Sequence, residues 1–266
     1  MTHLACLFAA LTLTSLPSLA AADTGFLDRT VTLNTETYRY QVYVPLDWNS
    51  QQKWPVILFL HGAAEKGTDG ALQTNVGLGP AIRSDRTRFP AVVVFPQSRS
   101  EQNWTLAPMQ EQALAALDAA SKEFNGDADR TYLAGLSNGG SGVVRIASRY
   151  PSRFAAVIDI CGRIEPASPE GQIADAKLHP FLQQQDPFSA LAKTISRIPI
   201  QIFHGSSDAT VPVGQSRRLF TELQSIGAPA HYTEYPGVGH NSWDKAFAEP
   251  SLMPWLLAQR RKAGTN

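Results

Sequence analysis

Five short, largely apolar runs constrain this chain more than any other feature: Val56–Leu60, Val92–Phe95, Tyr132–Ala134, Phe154–Ile160 and Ile200–Phe203. A strand with one wet face alternates apolar and polar residues. Runs that do not alternate fit strands covered on both faces, as in a parallel sheet. Between them lie stretches with helical spacing. Met109–Phe124 is followed by Gly126 as a stop, Asn138–Tyr150 ends before Pro151, Gly214–Ile226 is closed by Gly227, and Leu252–Arg261 comes last. Strands alternating with helices predict an open α/β fold: a mostly parallel central sheet with helices on both faces. Ahead of it, Val31 and Leu33, then Tyr38, Tyr40, Val42 and Val44, alternate with polar residues around a turn at 34–37. That pattern predicts an antiparallel N-terminal hairpin at the sheet edge, and a last strand is expected at His231–Tyr235. No repeat, linker or low-complexity segment interrupts the pattern, so residues 23–266 read as one domain.

Residues 1–22 are different. Leu4–Leu16 carries no charge, Pro17 follows, and small residues precede Ala20 and Ala22. This is the pattern of a signal peptide cleaved after Ala20 or Ala22, although no Lys or Arg precedes the apolar run. The alternative is an apolar N-terminal helix of a cytosolic protein. The run is too short to span a bilayer, so a secreted or periplasmic protein without a stable membrane span is expected. Removal of the leader takes Cys6 and leaves Cys161 alone, which rules out an internal disulfide. Lys plus Arg and Asp plus Glu number 23 each, with no run of one sign. No electrostatic footprint for nucleic acid is present.

The chemistry centres on Gly135-Leu136-Ser137-Asn138-Gly139-Gly140, between a strand-like and a helix-like run. Strand, tight turn and helix are the context of a nucleophile elbow, where the serine projects from the end of the sheet. The flanking positions leave no room for side chains, hence Gly135 and Gly139. A serine needs a base, and on such a sheet the acid and then the histidine follow it in the chain. Asp208 follows the strand 200–203 and is the candidate acid, with Asp159 as the alternative. Of six histidines only His231 and His240 come after Asp208. His231 falls within a strand, whereas His240 lies on a glycine-rich loop able to fold back over the sheet. Ser137, Asp208 and His240 form the candidate catalytic triad. Backbone N–H groups of Asn138 and of Ala63, in the loop His61-Gly62-Ala63 after the first buried strand, are the candidate oxyanion donors. Trp104 and Trp243 sit on loops near that end, either as walls of a substrate pocket or as packing residues under the loops.

Five segments carry a family resemblance: HGAAEKG at 61–67, PQ at 96–97 with Trp104 after it, YLAGLSNGGSG at 132–142, FHGSSDATVPV at 203–213 and YPGVGHNSWDKAF at 235–247. Across about Arg29–Gln259 the chain resembles a secreted esterase group of the α/β-hydrolase superfamily. That group includes feruloyl and acetylxylan esterases, polyhydroxybutyrate depolymerase-like proteins and predicted peptidases. The resemblance implies the α/β-hydrolase fold, a Ser-Asp-His triad, no metal or other cofactor, and hydrolysis of a small-molecule or polymer-borne ester. The chain departs from the group's usual residues at Asn138, where methionine is frequent, and at Ala64 and Lys66, where glycine and arginine are. Two rivals remain. A prolyl-oligopeptidase-like peptidase shares fold and triad but usually adds a large gating domain. A non-catalytic binding protein on this fold would generally lack a triad residue.

Overall fold

The structure, a computed structural model, describes residues 23–166 and 175–261; the expected signal peptide at 1–22 lies outside them. Eight strands form one sheet: β1 Gly25–Leu33, β2 Glu36–Val44, β3 Trp54–Leu60, β4 Val92–Pro96, β5 Gly126–Leu136, β6 Ala156–Ile160, β7 Ile200–Gly205 and β8 Ala230–Tyr235. Their spatial order is β1-β2-β4-β3-β5-β6-β7-β8. β2 runs antiparallel to both β1 and β4, and every later pairing is parallel. The mostly parallel α/β sheet with an antiparallel N-terminal hairpin is therefore present as predicted.

The unbroken apolar runs have the cause inferred from them. Alternate residues of one strand enter two separate cores. Trp54, Val56, Leu58 and Leu60 of β3 belong to one, and Ile57 and Phe59 to the other. Val92 and Val94 of β4 likewise face away from Val93 and Phe95. Helices α2 Ala107–Glu123, α3 Asn138–Arg149, α4 Pro187–Ile195 and α5 Gly214–Ser225 cover the first face. Helices α1 Leu78–Ser84, α6 Trp243–Ala248 and α7 Leu252–Ala258 cover the second. α1, α4 and α6 are additions to the sequence reading, and the last helix stops at Ala258 rather than running to Arg261. α4 buries Phe188, Leu191 and Ile195 in the first core, so this part of the 162–197 connection belongs to the helical layer. No helix among the described residues is long and apolar enough to cross a membrane.

Candidate active site

Ser137 stands between β5 and α3 with φ 53° and ψ −116°. Such a backbone is strained for any residue with a Cβ, and strain of this kind collects at functional positions. The turn holds because its surroundings leave no alternative. A Cβ on Gly139 would lie 1.9 Å from the carbonyl oxygen of Leu60 at the end of β3. The Ser137 N–H meanwhile donates to Ile160 O at 2.8 Å, tying the elbow to the end of β6.

The elbow aims the hydroxyl at His240. Ser137 Oγ is 2.9 Å from His240 Nε2, and His240 Nδ1 is 2.7 Å from Asp208 Oδ2. A carboxylate only accepts, so Nδ1 carries the hydrogen and Nε2 accepts from the serine. The order is hydroxyl, imidazole, carboxylate. Asp208 is fixed from its other side by the N–H groups of Thr210 and Val211, which donate to Oδ1 at 2.8 and 2.9 Å. Burial by itself would raise the Asp208 carboxyl, but these bonds and that from His240 outweigh it and hold the group below the usual carboxylate range. Asp159, the alternative acid, lies elsewhere. It pairs in register with Gly135 inside the sheet, and its Oδ1 accepts from Gly162 N–H at 3.1 Å. Burial pushes its carboxyl up to about 7, and its Oδ2 has no partner.

The candidate oxyanion donors line the same cleft as Ser137. Asn138 opens α3, where the first N–H groups of a helix have no intrahelical partner. Among the described hydrogen bonds, the N–H of Ala63 has none either. His61 braces that loop from beneath: Ser98 N–H donates to its Nε2 at 3.0 Å, so Nδ1 is the donor to Gly62 O at 2.6 Å. Burial lowers the His61 imidazole to about 4, which keeps it neutral and suited to that role.

The tryptophans part ways. Trp104 has no exposed surface; its Nε1 donates to His61 O at 3.0 Å, and its ring meets His61 edge-on. It packs under the 61–63 loop, so of the two readings open from sequence it takes the packing one and is not the substrate-binding wall that the other would make it. Trp243 is partly exposed and stands edge-to-face with His240, centroids 5.4 Å apart.

The cleft beside Ser137 encloses about 360 Å³ and is edged by Asn103, Thr105, Asn138, Ser141 and Thr210 and by the charged Arg145, Arg163 and Asp175, with Ala63, Val211 and Pro166 as apolar members. Asn138 joins a polar chain there. Its Nδ2 donates to Asn103 Oδ1 at 3.3 Å, and Lys66 Nζ reaches the same oxygen at 2.6 Å. Asn103 was not singled out from sequence, and Lys66 only as a departure from the resembled group, because only the fold brings the two to Asn138. His204 was also passed over, since it precedes Asp208 in the chain. It lies against the buried side of Asp208, Nε2 to Oδ2 3.1 Å.

This sheet, with a serine elbow at the end of its fifth strand, defines an α/β-hydrolase. Residues 32–253 match the family described as "Putative esterase", and the chain belongs to that family. An uncharacterized secreted protein of Arthroderma benhamiae is 29% identical over 205 residues, 71% of this chain and 21% of that one. An isoprenylcysteine alpha-carbonyl methylesterase of Arabidopsis thaliana is 29% identical over 134 residues, 48% of this chain and 30% of that one. The chain thus spans less than a third of the length of these curated relatives. Among solved structures, a thermostable esterase is 29% identical with a TM-score of 0.73, over 89% of this chain and 63% of that one. A ferulic acid esterase, 17% identical with a TM-score of 0.65 over 87% of this chain and 97% of that one, shares the fold.

Proposed function

We propose that the chain is a serine carboxylic-ester hydrolase that works through an acyl-enzyme on Ser137. One observation carries the proposal: the unbroken hydrogen-bonded series Ser137–His240–Asp208, starting from a strained elbow. Ser137 Oγ attacks the ester carbonyl carbon while His240 Nε2 takes its proton. Asp208 holds the imidazolium that forms, and the N–H groups of Ala63 and Asn138 receive the oxyanion. His240 then protonates the departing alcohol. Water repeats the steps on the acyl-enzyme and frees the acid.

The substrates are acyl esters of carbohydrate, phenolic or polyester type, and the cleft favours small or hydroxylated groups. The amides, hydroxyls and charged Arg145, Arg163 and Asp175 on its edge would be stripped of water by a long alkyl chain without compensation, although Ala63, Pro166 and Val211 leave room for a short apolar group. Trp243 supplies an aromatic wall beside His240. Export fits both the apolar leader and the secreted Arthroderma benhamiae relative.

The test is a panel of p-nitrophenyl esters of rising chain length, feruloyl and acetylated sugar esters, and a peptide anilide, each with Ser137→Ala in parallel. Activity should be highest on acetyl and sugar esters, fall with chain length, and drop at least about 10⁴-fold in the variant. Equal rates for the two proteins would sink the hydrolase. Cleavage of the anilide alone would make it a peptidase.

A further inference from the structure

We propose that His204, locked in one tautomer by Ser216, is a positioning residue for Asp208, so that the series of polar side chains ending at Ser137 begins two residues further back, on α5. The proposal rests on the catalytic role assigned above to Ser137, Asp208 and His240.

His204 is the penultimate residue of β7, four residues before Asp208, and the turn between them, closed by Asp208 N–H to Gly205 O at 3.2 Å, lays the carboxylate over the ring. Neither side chain has any exposed surface. Packing alone would be served by an apolar residue here, yet both ring nitrogens are engaged. Nε2 faces two acceptors, Val211 O at 3.0 Å and Asp208 Oδ2 at 3.1 Å, so Nε2 carries the hydrogen. Nδ1 must then accept, and its partner is the hydroxyl of Ser216, 2.7 Å away and 1% exposed. The opposite tautomer would turn a ring lone pair toward the carboxylate.

The carboxylate of Asp208 is therefore held from several sides. Oδ1 takes two backbone N–H groups, Oδ2 takes His240, and the N–H edge of the His204 ring lies 3.1 Å from Oδ2 while donating to Val211 O. Without His204, Oδ2 loses that polar edge in a dry site, and one restraint on the carboxylate's rotation is gone. The ring is neutral, because burial lowers the His204 imidazole. A cation there would compete with the imidazolium of His240 for the same oxygen. The other charge facing His204 is Glu234, its register partner on β8, which is held by Arg217 at 2.6 and 2.8 Å.

The bond to Val211 O also staples the loop, and a staple alone would affect stability only. The experiment therefore follows kcat, KM and the pH profile of kcat/KM on p-nitrophenyl acetate, for proteins that show a cooperative thermal melt. His204→Phe is expected to lower kcat about tenfold while KM stays within about twofold, since no substrate contact is lost. A carboxylate relieved of the nearby N–H dipole pulls harder on the proton of His240, so the fall in activity on the acid side should move to higher pH. His204→Gln, whose amide can again present an N–H to Oδ2, should recover most of the rate and the profile. A folded His204→Phe protein with wild-type kcat and profile overturns the proposal, and so does His204→Gln performing no better than Phe. If His204→Phe does not fold, Ser216→Ala decides: a lowered kcat with a displaced acid limb supports the lock, and wild-type behaviour refutes it. Ser137→Ala separates the two levels. If it retains activity, the catalytic assignment fails; if it is inactive while His204→Phe is normal, only the positioning role fails.

Discussion

At Ser137 the chain holds a backbone that its residue type disfavours. Such strain costs on the order of 1–3 kcal/mol, and glycine would escape it. Ser137→Gly should therefore raise the stability to urea by about 1 kcal/mol, after allowing for the greater freedom of glycine in the unfolded chain, while abolishing hydrolysis. A urea midpoint below wild type would show that the elbow is not strained. Ser137, Asp208 and His240 were legible as candidates because each lies on the loop that follows a strand, in a fixed order. Asp208 could be told from Asp159 only in three dimensions: both end strands, but one faces His240 and the other is sealed within the sheet. His204 was illegible for a related reason. A spacing of four means contact on a helix, and nothing in the sequence shows that a turn will create the same contact at the end of a strand.

Between elements, the decisive contact is the entry of α3 against the end of β3. Gly139 lies so close to Leu60 O that an added methyl group must push the helix off the strand. Gly139→Ala should cost more than about 4 kcal/mol or prevent soluble expression, because the backbone itself is in the way. Gly214→Ala at the start of α5, where a Cβ meets nothing within 4 Å, should change stability by less than about 1 kcal/mol. Equal effects in chemical denaturation would contradict this picture of the elbow. The strands were the legible elements, since burial on both faces removes alternation from the sequence. The short helices were not. α1 contains Gly79 and Pro80, which read as a loop. Yet proline is tolerated in a first helical turn, and a Cβ on Gly79 would strike Thr74 O at 2.1 Å. α4 did announce itself through Asp186-Pro187, a capping aspartate before a first-turn proline.

For the molecule as a whole, buried titrating groups tie stability to pH. His61 and His179 are both lowered to about 4 by burial. The unfolded chain protonates them near 6.5 while the folded protein does not, so their contribution is complete above that pH and lost as it falls toward 4. Asp159 works in the opposite sense. Its carboxyl is raised by burial to about 7, so its contribution declines as pH rises from 3.8 to 7. Two histidines outweigh one carboxyl, and the Tm should climb between about pH 4.5 and about pH 6.5. The Tm of Asp159→Asn relative to wild type should increase from about pH 5 to about pH 8, and a constant difference would show that Asp159 is ionised in the folded protein. The overall architecture was readable because it follows from the order of buried runs; the titration of its interior was not, because it depends on which polar atoms the packing leaves dry. The sheet order also sets a schedule. His240 comes after β8 and lies 103 residues beyond Ser137. If His240 activates Ser137 as proposed, a chain emerging N-terminus first exposes its serine long before the imidazole exists to activate it. On that proposal Ser137 is an ordinary alcohol throughout synthesis, and a chain cut short anywhere before residue 240 stays one. Hydrolysis would then begin only when the last crossover has closed, which would make activity a record of completed manufacture.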